Sequence, residues 1–437
     1  MKMAVIMILV CCCLSGCYDK AEPNDIAFVT AVGIDKSKQN KENYDITFQI
    51  AKPAQISGGA SQEGGQGGEI IQNITVEAPT VYAGIETANF IISKMISLSH
   101  IRLFVFSEEI AREGIADITE TMTRSEEIRP NVYLAVSKNS AKEYLESVQP
   151  SAEINPAKYY QAKFDKEIIG GIPKSTNNKF YFYQKTSEKN AIIPLAAKIK
   201  TKEEKGSQGS GQNSSQGQNS GESGPQPSKE NELQKDAPMN ETQFEYKIKN
   251  YVAGQLAISE ENESELMGMA LFKGDRMVGE MGSTETLIYN ILTNNFQYGY
   301  VTFASEKTKT PITIMLRRTQ KTKVDYDKNK NSAKLKLSLE GEFISLPADY
   351  ITEKDTNHFE KEIKEAFLES FNTFLMRLQS EFNTDILGIG SYAKASFLTH
   401  NDFENFNWEE KFLKTQFEID VDFKIIRTGL TVRTEKK

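Results

Sequence analysis

All four cysteines of this 437-residue chain fall within its first 17 residues, and no other feature limits its fold so strongly. Cys11, Cys12 and Cys13 lie in an apolar run from Met3 to Leu14 that follows Lys2. A basic start, an apolar stretch and then small residues read as a secretory signal peptide over residues 1–16. The run is too short to cross a bilayer, which takes about 20 residues. Cys17 follows Leu14-Ser15-Gly16, and an aliphatic residue, two small residues and Cys make the bacterial lipoprotein pattern. Cleavage is expected between Gly16 and Cys17, with a diacylglycerol on the Cys17 thiol. The mature chain then has no second cysteine, which excludes intramolecular disulfides and thiolate metal clusters. An exported fold without disulfides has to rest on core packing.

Magnitudes decide how such a chain meets the membrane. Two acyl chains at about 0.8 kcal/mol per buried CH2 give on the order of 20 kcal/mol gross. A polybasic segment gives about 1 kcal/mol per residue near anionic lipid, and the net charge of -8 has the wrong sign for it. The same charge argues against nucleic acid as a partner, since phosphates are neutralised by clustered Lys and Arg. About eight residues separate Cys17 from the first apolar strand, which places the first domain within roughly 30 Å of the headgroups.

The length implies two or three domains. "DIAFVTAVGID" reads as a buried strand, and "NYDITFQIAKP" alternates and can pair with it. A Gly-rich loop leads to "EIIQNITVEA". Helical spacing of Ile85, Phe90 and Met95 predicts a helix from Thr80 to Ser97. A strand at Ile101–Ser107, a helix from Glu108 to Arg124 interrupted near Gly114, a strand at Asn131–Ser137 and a helix at Ser140–Ser147 follow. These make an N-terminal α+β region, 17–200, with room for more than one subdomain. From Lys202 to Pro238 the Gly/Ser/Gln-rich composition cannot build a core, so 201–240 is expected to be a disordered linker.

The C-terminal α+β region, 241–437, opens with a hairpin over Leu266–Met281 turning at Gly274-Asp275. A helix capped by Ser283 or Thr284 comes next. Leu335, Leu337 and Leu339 alternate with polar residues as in a half-buried strand. Phe359, Ile363, Phe367, Phe371, Phe374, Leu375, Leu378 and Phe382 form one face of a long helix. Phe417, Ile419, Val421, Phe423 and Ile425 alternate in a final strand. The fold class is therefore α+β, multi-domain, with mixed or antiparallel sheets and packed helices.

Catalytic constellations are not visible. His100, His358 and His400 are far apart with no HExxH pair, and no G-x-S-x-G elbow is present. "GIG" at Gly388–Gly390 follows a helix and reads as a turn. The expectation is a non-enzyme with no cofactor and no metal.

"GCYDKAEPNDIAFVTAVGID" resembles the mature start of the Ger(x)C family, the lipoprotein C subunits of bacterial spore germinant receptors. The resemblance rests there on Gly16, Cys17, Tyr18, Asp19, Glu22, Asn24, Asp25, Gly33, Ile34 and Asp35. "SHIRLFVFSEEIAREGIADITETMTRSEEIRPNVYLAVSK" is similar to the family's middle block, and "GMALFKGDRMVGEM" to its hairpin. "TDILGIGSYAKASF", Trp408 and "VDFKIIRTGL" are similar to its C-terminal block. The blocks occur in family order and cover nearly the whole chain outside the linker. Tyr18 stands where Trp is usual, Pro23 where an aliphatic residue is, and Leu387 where Phe is commoner.

The resemblance implies a lipid-anchored body of two or three α+β domains on the outer face of the spore's inner membrane. It also implies assembly with membrane-protein A and B subunits into a receptor for small nutrients. Two segments are candidates for a subunit interface: Phe272, Lys273, Gly274 and Asp275, and Arg427, Thr428 and Gly429. The rival is a solute-binding lipoprotein of a transporter, which should show two lobes of repeated βα units with parallel apolar strands.

Overall fold

A computed structural model of the chain describes residues 25–52, 70–149, 155–165, 172–199, 250–255, 263–304, 311–345 and 352–427. The expected signal peptide, Cys17 and the expected 201–240 linker lie outside the described residues. Two units emerge that do not follow chain order. The first comprises Met1–Lys166, Pro173–Lys198 and Met269–Glu280; the second comprises Glu167–Ile172, Ile199–Gly268 and Met281–Lys437.

In the first unit, the β-branched run after residue 25 forms β1 (Ile26–Lys36). β2 (Tyr44–Ala51) pairs antiparallel with it, and β3 (Ile71–Ala78) with β2. Helix α1 (Val81–Asn89) and the short β4 (Met95–Ser97) lead to β5 (Leu103–Ser107), which runs parallel to β1. Helices α2 (Glu108–Glu113) and α3 (Ala116–Arg124) precede β6 (Tyr133–Ser137), parallel to β5. Then come α4 (Ala141–Ser147), α5 (Pro156–Phe164), α6 (Asn177–Tyr183) and β7 (Ile192–Lys198), parallel to β6. Every residue of β5 and β6 is buried, as expected of parallel strands covered on both faces. The hairpin of β8 (Ser264–Lys273) and β9 (Arg276–Met281) completes the sheet. Its order is β3-β2-β1-β5-β6-β7-β8-β9, with β4 on β1.

One local expectation is corrected here. Thr80 caps α1, its hydroxyl accepting from Ala83 N–H at 3.2 Å, but the helix stops at Asn89 instead of reaching Ser97. The Asn89 side chain accepts from Ile96 N–H at 3.0 Å, and Met95–Ser97 pair in parallel with Ile26–Phe28. Sheet pairing at the start of β1 overrides the helical spacing, and Phe90 and Met95 do not face a core.

In the second unit, α7 (Ser283–Leu292) precedes β10 (Tyr298–Ala304), β11 (Pro311–Arg318), β12 (Lys323–Asp327) and β13 (Ser332–Ser345). Helix α8 (Thr352–Arg377) runs on into one π-helical turn, Leu378–Phe382. Short helices α9 (Ile389–Lys394), α10 (His400–Phe406) and α11 (Trp408–Leu413) lead to β14 (Gln416–Arg427). β10 pairs antiparallel with β11, β11 and β12 pair antiparallel with β13, and β14 lies parallel along β13. The predicted alternation holds, with Leu335, Leu337 and Leu339 buried. Along α8, Phe359, Ile363, Phe371, Phe374, Leu375, Leu378 and Phe382 are buried. Phe367 is half-buried, stacking on Phe371 and meeting Phe423 of β14 edge-on, both at 5.9 Å between centroids. The helix therefore covers the sheet.

The cap of α7 is also corrected: the N-cap is Gly282, not Ser283 or Thr284. A side chain from outside the helix supplies the acceptor, since Asn250 Oδ1 takes Thr284 N–H at 3.1 Å. Glu285 Oε2 takes Gly282 N–H at 3.0 Å and Asn250 Nδ2–H at 2.8 Å. A Cβ at residue 282 would run into Asn250, so glycine is required there.

Candidate functional site

Three carboxylates organise the segments that carry the sequence motifs. At the end of β1, Asp35 accepts from Ala141 N–H at 2.7 Å, Lys142 N–H at 2.9 Å and the Ser140 hydroxyl at 3.0 Å. It satisfies donors that the first turn of a helix leaves open, and its charge suits that terminus. Burial pushes its carboxyl above the ordinary aspartate range, against these hydrogen bonds. Two residues earlier, a Cβ on Gly33 would lie 2.9 Å from Leu145 Cδ1 and 3.2 Å from Ala141 Cβ. "GID" thus reads physically: glycine admits α4, Ile34 fills the core, and Asp35 caps the helix.

The second carboxylate is Asp275. Gly114 separates α2 from α3 with φ +125, and a Cβ there would meet the Asp275 carboxylate. Asp275 Oδ2 accepts from Ala116 N–H at 3.3 Å, and its carbonyl accepts from Ile115 N–H at 3.2 Å. The hairpin turn therefore caps a helix 159 residues upstream.

The third is Asp385, 3% exposed. Its Oδ1 accepts from Gly388 N–H at 2.8 Å and Ile389 N–H at 3.2 Å. Its Oδ2 accepts from Gly390 N–H at 2.8 Å and the Trp408 indole N–H at 3.0 Å. Burial raises its pKa, with the four donors acting in the opposite sense. Of "GIG", read as a turn, only Gly388 precedes the helix, at φ +76; Ile389 and Gly390 already form the first turn of α9. The spacing alone did not reveal that Asp385 gathers it; an Asp three residues before such a turn is the local signal that could have.

Charge is organised around Lys138, which lies 2.7 Å from Glu108 and 2.6 Å from Glu280. Arg112 also holds Glu108, at 2.6 Å. In the "EIR" block, Glu127 accepts from the Ser97 hydroxyl at 2.8 Å, and Ile128 is buried.

The expected interface residues fall into both units. Phe272 is fully buried, meeting Phe180 edge-on at 5.0 Å, so its side chain belongs to the core. Lys273 is exposed at the turn, and Gly274 has φ +62, the left-handed value the turn needs. Asp275 is the cap just described. In the second unit, Arg427 is exposed and lies 3.9 Å from Glu342. Thr428, Gly429, Gly16 and Cys17 lie outside the described residues.

The histidines keep local company. His100 Nδ1 is 3.0 Å from the Ser99 hydroxyl, His358 is 3.9 Å from Glu362, and His400 is 3.7 Å from Glu404. Among the described residues, no group of three or more His, Cys, Asp or Glu could hold a metal ion. The three carboxylates turn their oxygens onto the protein's own N–H groups, an arrangement that fixes backbone.

Comparison with known proteins gives these motifs a context. Residues 19–198 match the family described as spore germination protein N-terminal domain, and residues 267–429 that described as spore germination B3/GerAC like, C-terminal. Spore germination protein KC of Bacillus subtilis (strain 168) is 28% identical over 154 residues, 35% of this chain and 37% of that protein. Spore germination protein GerQC of Bacillus cereus is 20% identical over 436 residues, 99% of this chain and 100% of that protein. The chain thus spans little more than a third of the length of the Bacillus subtilis relatives it matches, and the whole of GerQC. The crystal structure of the GerBC protein is similar at a TM-score of 0.49 and 14% identity, over 90% of this chain and 96% of that one.

Proposed function

The chain belongs to the Ger(x)C family of spore germination proteins, and from that premise we propose that it is the membrane-anchored C subunit of a nutrient germinant receptor. The observation that carries the reading is the match of both family regions in order, beginning two residues after Cys17. Cys17, acylated after cleavage at Gly16, holds the chain to the outer face of the spore's inner membrane. There it assembles with the A and B membrane subunits and supports their response to small nutrients.

The α+β body serves as an interaction subunit. Lys273, exposed at the β8–β9 turn, and Arg427, exposed at the end of β14, mark the two segments offered to those partners. The rival reading, a transporter's solute-binding lipoprotein, draws no support from the family match.

Germination of spores lacking the gene tests the proposal. Loss of response to particular nutrients, with dodecylamine and calcium dipicolinate still effective, is the expected result. A normal response to every nutrient, in a strain with no second receptor of this kind, would reject it.

A further inference from the structure

From the end of α1 into the first residue of β4 the chain carries exposed apolar side chains. In "NFIISKM" (Asn89 to Met95), Phe90 is 91%, Ile91 65% and Met95 68% exposed. Lys94 beside them is exposed too. Each such side chain leaves in water apolar area that burial would remove. Isolated exposed apolar residues are ordinary, but three on one short connection with a lysine among them make a patch that needs a partner.

The position of the patch identifies that partner. Met95 pairs with Ile26, the first residue of β1, and Ile26 is nine residues from Cys17. Nine residues reach at most roughly 30 Å, and neighbouring strands lie about 4.8 Å apart. The end of β1 that carries the patch is therefore the end tied to the acylated cysteine. Lys36 and Asp35, at the other end of β1, stand about 30 Å farther along the strand.

We propose that Phe90, Ile91 and Met95 rest in the headgroup–acyl boundary of the membrane, with Lys94 against anionic phospholipid headgroups. The inference rests on the reading of Cys17 as the lipid anchor. Alone, three partly inserted side chains and one lysine would bind weakly. On a short tether the same contact becomes intramolecular, at an effective concentration in the millimolar range. Lipid then determines how the first unit stands: the β1 start faces the bilayer, and the end bearing Asp35 points away from it.

The test uses the full lipidated chain, purified from a producing cell, with a single introduced cysteine. Acylated Cys17 offers no free thiol, so an environment-sensitive nitrobenzoxadiazole dye reports only Ile91→Cys, Met95→Cys or, as control, Lys41→Cys in the exposed turn at the far end of β1. All three positions are exposed, so labelling leaves the core intact. The chain is placed on vesicles of phosphatidylcholine and phosphatidylglycerol in equal parts, with and without brominated acyl chains, and vesicle flotation is checked first. Expected are blue-shifted emission and loss of most of the signal on brominated lipid for Ile91→Cys and Met95→Cys, with Lys41→Cys unchanged. A floating chain whose Ile91→Cys label behaves like the control overturns the patch and leaves the anchor standing. A blue shift without bromine quenching also overturns it, because a protein surface is then covering the patch. A chain that does not float overturns the anchor and the tether argument with it.

Discussion

The indole N–H of Trp408 donates to Asp385 across 3.0 Å, joining the start of α11 to the turn that opens α9, 23 residues upstream. Asp385 is buried and already holds three backbone N–H groups on that turn. Tyr326 meets the Trp408 ring edge-on, at 5.4 Å between centroids. Removing the carboxylate strands several buried donors at once, each costing about 1–3 kcal/mol. Asp385→Ala should therefore destabilise the second unit by about 3–5 kcal/mol, and Trp408→Phe by about 1–2 kcal/mol, since it strands only one acceptor position. Urea denaturation followed by Trp408 fluorescence, or by circular dichroism for Trp408→Phe, checks both. Equal costs for the two substitutions would contradict the assignment of Asp385 as the hub.

Gly114 and Asp275 make a second, separable pair. Gly114→Ala places a Cβ at φ +125 and against the carboxylate, which should cost about 1–3 kcal/mol. Asp275→Ala removes the acceptor for Ala116 N–H and should cost about 0.5–2 kcal/mol. The double variant should be less destabilised than the sum, because deleting the carboxylate clears the clash but leaves the backbone strain. A double-mutant cycle by thermal denaturation decides this; simple additivity would refute the contact.

Gly33 tests the helix seat in the same way. Gly33→Ala should overpack β1 against α4 at a cost of about 1–3 kcal/mol. Leu145→Ala opens a cavity of its own, yet should relieve the overpacking where Leu145 Cδ1 would be 2.9 Å away. If Gly33→Ala costs as much in the Leu145→Ala background as alone, the close approach is not what selects glycine.

The Lys138 cluster predicts a pH profile. Burial works against the charge of Lys138, but Glu108 and Glu280 outweigh it and hold its pKa above the ordinary lysine value. Burial likewise works to raise Glu108, but Lys138 and Arg112 outweigh it and hold its pKa below the ordinary glutamate value. The Glu108 contribution is complete above the unfolded glutamate pKa and is lost as pH falls through the lower folded value. The Lys138 contribution is complete below the unfolded lysine pKa and is lost as pH rises through the higher folded value. Both groups are partly exposed, so Lys138→Met should cost only about 1 kcal/mol near neutrality. It should also flatten both the acid and the alkaline limb of stability. Urea midpoints across pH measure it, and unchanged limbs would show that the cluster contributes nothing.

The sequence was most readable where one residue's neighbours in the chain are also its neighbours in space. The alternation of Leu335, Leu337 and Leu339, the stripe along α8, the break at Gly114 and the turn at Gly274 are all of that kind. It misled where a distant partner intervened. Asn250 supplies the acceptor at α7, which moved the cap to Gly282. The start of β1 captured Met95–Ser97 and cut short a helix whose spacing looked sound. Asp35 with Ala141, Asp275 with Ala116 and Asp385 with Trp408 all span separations at which local pattern carries no signal. The motif residues could be matched to a family before their work was visible; that work is largely the capping of helices from afar.

One measurement reaches the central claim, a folded body held to the spore's inner membrane through Cys17 as part of a nutrient receptor. Spores carrying Cys17→Ala in place of the natural gene are fractionated and, in the same batch, challenged with nutrient and with dodecylamine. The account predicts a soluble chain that keeps its folded, protease-resistant body, a lost or strongly weakened nutrient response, and an intact response to dodecylamine. A chain that stays in the membrane fraction and a nutrient response at the natural level would contradict it.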